Sequence, residues 1–260
     1  MSTTVMTQPL ENPDSPPRTI EPVQRTAAKT VGFLYLFAMA ISIFGESVRG
    51  RLILPHDAVQ TASSIAASEA LFRLSIAGDL IIYVCDIILF WGLYVILKRV
   101  NKDVALLAAF FRLVETAILG VTTLTAFIAL RLLSGADYLR VVDTAQLQAL
   151  ARGFLSIYGI GLSVGFVFLG LGSAVFSYLW LKSCYIPRGL AWLGIFGSLL
   201  MAIMSLVTMV FPVVWDRVGM AYMMPMGLYE IGLGFWLLIK GITVPSTIGR
   251  RPEGTASSGS

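Results

Sequence analysis

Residues 71–97 read LFRLSIAGDLIIYVCDIILFWGLYVIL, an apolar run broken by only three charged side chains, Arg73, Asp79 and Asp86. A helix needs about 20 mainly apolar residues to cross a bilayer, so this stretch is long enough to span one. It cannot be a barrel strand, because such strands run to about ten residues and alternate in polarity. Working outward, five more runs of the same kind lie at about 30–48, 104–133, 153–181, 189–211 and 221–240. The expected fold is therefore all-α: a polytopic membrane protein with a bundle of six transmembrane helices, its membrane domain covering residues 29–242.

Composition agrees. Of the 260 residues, 57% are hydrophobic and 13% charged, whereas soluble domains hold about 45–50% and about 25%. The excess apolar surface has to face lipid. The net charge of +4 comes mostly from basic residues between the runs, which reads as a topology signal and as contact with anionic head groups. No Lys/Arg stripe with interleaved aromatics lies on a soluble element, so nucleic acid is not an expected partner.

The flanks read as tails. Residues 1–28 carry Pro9, Pro13, Pro16, Pro17 and Pro22 with few large apolar side chains, and a disordered cytoplasmic tail is expected there. It does not read as a cleaved signal peptide, because the apolar run starts late and no small-residue cleavage site follows it. Residues 243–260 are expected to form a flexible tail. With the N-terminus inside, the cytoplasmic segments hold Arg18, Arg25, Lys29, Lys98, Arg99, Lys102, Lys182, Arg188, Lys240, Arg250 and Arg251. The outer segments hold Arg49, Arg51, Arg140, Arg152 and Arg217. That bias places both termini in the cytoplasm.

Two outer loops are patterned. Pro55-His56-Asp57 precedes a short helix over Ala58 to Ser68, and Asp143 starts the fourth long helix before its apolar run begins. Cys85 and Cys184 should lie at different depths, which disfavours a disulfide. The single histidine, His56, builds no metal site, and no cofactor is implied.

The informative residues are the charges inside the runs. An ionised side chain at mid-membrane costs at least roughly 2.5–3.5 kcal/mol on insertion scales, so such groups face the bundle interior and seek partners. With a rise of about 1.5 Å per residue, Asp86, Arg112, Glu115 and Glu230 all fall about 12–16 Å from the cytoplasmic ends of their helices. Asp79 and Asp86, seven apart, share a face; Arg112 and Glu115, three apart, are neighbours. One arginine cannot balance Asp86, Glu115 and Glu230, so at least one of these acids is expected to hold a proton or a cation. A second polar group, Glu46, Arg49, Arg51 and Arg73, is expected as an ion-pair network at the outer interface, with Asp79 deeper.

Other features read as packing. Gly159-Ile-Gly-Leu-Ser-Val-Gly165 has no preceding strand and is no nucleotide loop; Gly161 and Gly165 suit close helix contact. Tyr178, Trp180, Tyr185, Trp192 and Trp215 are expected as interface anchors. Met201, Met204, Met209, Met220, Met223, Met224 and Met226 are expected to face lipid.

Several motifs occur together in order: Ala67-Ser-Glu-Ala-Leu-Phe-Arg-Leu-Ser-Ile-Ala-Gly-Asp79, Leu93-Tyr94 with Leu97-Lys98, and Ala108-Ala-Phe-Phe-Arg112-Leu-Val-Glu115. Ser134-Gly-Ala-Asp-Tyr-Leu139, Gln146-Leu-Gln-Ala-Leu150, Ile186-Pro-Arg188 and Glu230 with Trp236-Leu-Leu-Ile-Lys-Gly241 follow. Over residues 28–242 the chain resembles membrane proteins of domain-of-unknown-function family 4386. The resemblance implies a helical protein of the bacterial inner membrane, with Arg73, Asp79 and Arg112 as positions of the family pattern. It implies no activity.

Two functions fit. In one, Asp79, Asp86, Arg112, Glu115 and Glu230 bind a proton, a cation or a small polar ligand in a proton-coupled carrier. In the other, the same charges are interhelical ion pairs in a non-catalytic protein that binds lipid, a membrane partner or a second copy of itself. An intramembrane enzyme finds little support, since the sequence carries no Ser/His pair or metal motif. The bilayer is a partner in every case.

Overall fold

The computed structural model describes residues 20–54 and 57–243. These form α1 (Pro22–Leu52), α2 (Ala58–Ala67), α3 (Glu69–Leu97), α4 (Lys102–Leu132), α5 (Thr144–Ser183), α6 (Arg188–Val210), α7 (Pro212–Val218) and α8 (Met224–Ile239), with short 3-10 turns at Asp137–Leu139 and Ala221–Met223. Six stretches are long and apolar enough to cross a membrane: α1, α3, α4, α5, α6 and Ala221–Ile239.

The helix ends follow their capping residues rather than the apolar runs. Helix α1 starts at Pro22, ahead of the expected 30, so residues 22–28 are not part of a disordered tail. Proline lacks only an N–H that the first turn would leave free, so at this position it favours the helix. The Glu21 N–H donates to Gln24 Oε1 at 3.1 Å, and Glu21 also pairs with Arg99 across the loop that follows α3. Helix α5 starts at Thr144, because Asp143 Oδ2 accepts from the Ala145 N–H at 2.9 Å. At 40 residues it is about 60 Å long, well beyond the hydrocarbon core. Asn101 caps α4 through Val104, and Asp57 caps α2 through Gln60. The tail expectations for residues 1–19 and 244–260, and His56 with Pro55, lie outside the described residues.

The six long helices pack in chain order, α1 on α3, α3 on α4, α4 on α5, α5 on α6 and α6 on α8, and α8 returns to α1. This closes a ring. Neighbours run antiparallel: the buried Gln24 Nε2 at the start of α1 donates to the Ile96 carbonyl at the end of α3. Glycines let the helices touch. A Cβ at Gly161 or Gly165 of α5 would run into Thr122 or Leu119 of α4, as the small-residue spacing suggested, and one at Gly32 would strike the backbone of α8. Phe33, Ile43, Val84, Trp91, Val121 and Ile203 point out of the ring and are exposed; lipid covers such a surface favourably, and water does not.

Two apolar clusters fill the ring's ends. One holds residues 27–35 of α1, 89–97 of α3, 105–108 of α4 and 176–180 of α5, with the core side of α8. The other holds Val48 and Leu52, Phe72 and Ile76, Ala126 to Leu130 and Ala151 to Tyr158, stoppered by Ile65 of α2. Trp180 and Tyr185 sit in the first cluster, not at the interface as expected, and Tyr178, Trp192 and Trp215 are exposed. Met201 and Met226 also turn inward, and Ser198 Oγ approaches Met226 Sδ at 3.4 Å. Apolar length alone cannot say which face of a helix meets its neighbour.

Candidate functional site

Between the two clusters lies a cavity of about 140 Å³. Its lining comes from Tyr35 to Arg49 on α1, Asp79 to Leu89 on α3, Arg112 to Leu119 on α4 and Tyr158 to Leu169 on α5, with Glu230 of α8. On α1, α3, α4 and α5 most of these residues fall between those of the two clusters in sequence, with Tyr35, Leu89 and Tyr158 belonging to the clusters themselves, so apolar packing bounds the cavity above and below. The four acids and one arginine expected inside the membrane, Asp79, Asp86, Glu115, Glu230 and Arg112, all reach it.

They form two groups of different character. In the first, Arg49 Nη1 donates to both oxygens of Asp79, at 2.9 and 3.2 Å, and Arg49 Nη2 donates to Glu46 Oε1 at 2.7 Å. Tyr158 Oη donates to Asp79 Oδ2 at 2.9 Å, and the Arg49 guanidinium lies 5.4 Å from the centroid of the Tyr158 ring. Asp79 thus has two charged or polar donors and Arg49 two acids. Arg49 is expected at the interface from the sequence; in the structure it is buried, because α1 continues to Leu52. Arg73 does not join this group. It is exposed and pairs with Glu69 one turn earlier, at 2.6 Å, away from this group. Arg51 is also exposed.

The second group is poorly satisfied. Arg112 Nη1 and Glu115 Oε2 are 2.9 Å apart, yet both atoms are buried and neither is aligned for a hydrogen bond. Arg112 Nη2 is 3.8 Å from Asp86 Oδ1, beyond hydrogen-bond length. Glu230 enters none of the ion pairs formed among the described residues. The Arg112 guanidinium sits 5.4 Å from the Phe90 ring centroid, and its stem lies against Gly172 of α5, where a Cβ would approach Arg112 Cγ to 2.9 Å. Glu115 is 1% exposed and Arg112 4%. Buried polar atoms normally find partners, so three acids facing one cation with so few hydrogen bonds stand out. No group of three His, Cys, Asp or Glu among the described residues converges as metal ligands do.

Sequence reasoning missed the tyrosines. Tyr35, Tyr83 and Tyr158 line the cavity, and Tyr83 Oη lies 3.1 Å from Thr123 Oγ1. Tyr83 was within reach, because Asp79, Tyr83 and Asp86 share one helical face. Tyr158 lies 14 residues past Thr144, about 21 Å along the helix that Asp143 caps, and apolar length gives no sign that its ring turns inward.

A family model described as a domain of unknown function, DUF4386, matches residues 30–241. The chain belongs to this family. All the cavity residues lie inside the DUF4386 match. Among its relatives is an uncharacterized protein of Archaeoglobus fulgidus, 27% identical over an alignment of 176 residues that covers 64% of this chain and 83% of that relative. No solved structure matches the chain significantly. The protein is thus an integral membrane protein of the DUF4386 family with six candidate spans, and its family carries no stated activity.

Proposed function

We propose that this DUF4386 protein is a carrier whose central cavity binds a proton, a cation or a small polar ligand at Asp86, Arg112, Glu115 and Glu230. One observation supports this above the rest: the contrast between the two polar groups around one cavity. Asp79 takes hydrogen bonds from Arg49 and Tyr158, as a structural staple does. Asp86, Glu115 and Glu230 share one arginine: Asp86 stands 3.8 Å from it, Glu115 Oε2 is buried beside it without a hydrogen bond, and Glu230 enters no ion pair among the described residues. Groups that only glue helices together gain by saturating one another; acids left open beside a cavity can receive a proton or a cation.

The half-buried residues Ala38, Met39 and Ser42 of α1 and Leu162, Phe166 and Leu169 of α5 line the same cavity and give it a flank toward the bilayer. The setting we infer is the bacterial inner membrane with both termini cytoplasmic, which rests on the loop charges. The staple reading, in which charges only join helices, is favoured for Arg49, Glu46 and Asp79 by their short hydrogen bonds.

The test is reconstitution. Proteoliposomes holding a pH dye are challenged with a panel of amines, amino acids, sugars and carboxylates. One class should change the lumenal pH, and Asp86→Asn and Glu230→Gln should abolish that change while still inserting and staying monodisperse. No pH change across the panel, or equal loss of folded protein in both variants, would favour the staple reading for all the charges.

A further inference from the structure

The lining of the cavity points to a ligand class, and the inference rests on the proposal that the cavity is a ligand site. We infer that it takes a small amphipathic organic cation, an amine on an apolar body about the size of benzene. The cavity has two unlike walls. Asp86, Glu115 and Glu230 make an acidic one from α3, α4 and α8; Leu162, Phe166 and Leu169 make an apolar one from α5. A protonated amine has only donors, three in a primary ammonium, and this acidic wall offers acceptors that protein donors leave open. Arg112 Nη2 stops 3.8 Å from Asp86 Oδ1, and Glu230 enters no ion pair among the described residues, so these two acids are the acceptors open to a donor in the cavity, while Glu115 Oε2 is buried against Arg112.

Other ligands fit less well. An anion would meet five carboxylates, those of Glu46, Asp79, Asp86, Glu115 and Glu230, against the two guanidiniums of Arg49 and Arg112. A bare metal ion needs several ligands converging on one point, an arrangement absent among the described residues. A sugar would leave its hydroxyls against Leu162, Phe166 and Leu169, and burying an unpaired hydroxyl costs about 1–3 kcal/mol. Size adds a limit. The cavity is about 140 Å³, and an apolar protein cavity of about 150 Å³ holds one benzene. The route in is consistent with this class, because the half-buried flank between α1 and α5 meets lipid, where amphipathic amines collect.

Three probes separate the contributions when titrated calorimetrically into the purified full chain in detergent. Benzylammonium carries both features, benzyl alcohol has the shape without the charge, and methylammonium has the charge without the ring. Benzylammonium should bind saturably, one per chain, with the other two at least ten-fold weaker. Glu230→Gln and Phe166→Asn should each weaken benzylammonium at least ten-fold; the three-probe comparison on the wild-type chain stands even where a variant does not fold. Equal binding of benzyl alcohol, or of methylammonium, overturns the amine class. If none of the three binds while the proteoliposome panel still gives an Asp86-dependent pH change, the amine class is wrong and the cavity remains a ligand site. If both assays are silent, both readings fall.

Discussion

Tyr158 of α5 and Arg49 of α1 donate to the same oxygen of Asp79, each at 2.9 Å. Helices α1, α3 and α5 thereby meet at one carboxylate beside the apolar cluster that Ile65 stoppers. Removing one partner of a buried ion pair strands the other, at a cost of about 3–5 kcal/mol; losing one hydrogen bond to a charged group costs about 1.5–3 kcal/mol. Arg49→Ala should therefore destabilise the protein more than Tyr158→Phe does, and both should lower the midpoint of thermal unfolding in detergent. An Arg49→Ala variant as stable as the wild type would show that this group is not a staple.

The α5 glycines give a second expectation. A Cβ at Gly170 would come within 2.5 Å of the Ser198 carbonyl oxygen, while one at Gly159 would meet nothing within 4 Å. Overpacking of this kind costs about 1–3 kcal/mol, so Gly170→Ala should destabilise and Gly159→Ala should not. Gly172→Ala falls between them. Its Cβ would press on the flexible stem of Arg112, so ligand-coupled pH changes in proteoliposomes should suffer more than stability does. Equal stability of Gly170→Ala and Gly159→Ala would mean that α5 and α6 pack less closely than described.

Much of this architecture is legible in residues 71–97 and the runs like it, because an apolar run of about 20 residues matches the thickness of a bilayer. The shared layer of Asp86, Arg112, Glu115 and Glu230 is legible too, from helical rise and from the need of buried charge for an interior face. Other features are not. Apolar length ends the first helix too early and so leaves Arg49 at the interface, and expected depth near the outer face groups Arg73 with it. Arg73 has Glu69 one turn away on an exposed face, a local partner that outcompetes any distant one. Trp180 shows the same limit, since aromatic content marks a helix end without saying whether the ring points to lipid or to Tyr185.

Orientation can be checked with thiol labels. In a Cys85→Ser, Cys184→Ser background, a membrane-impermeant maleimide added to intact cells should modify Asp137→Cys, in the loop between α4 and α5, and spare Lys98→Cys, between α3 and α4. Lysis should make Lys98→Cys reactive. Labelling of Lys98→Cys from outside, with Asp137→Cys spared, would invert the topology drawn from the loop charges.

The measurement that bears most directly on the cavity compares two amide substitutions, Asp79→Asn and Glu230→Gln, in the unfolding free energy of the protein in the same micelles. Asp79 is held by Arg49 and Tyr158, and its amide should cost about 3 kcal/mol or more. Glu230 lines the cavity outside any ion pair formed among the described residues, and its amide should leave stability within about 1 kcal/mol while ending ligand-coupled pH changes. A loss of stability in Glu230→Gln as large as that in Asp79→Asn would contradict the carrier reading and make the inner acids a second staple.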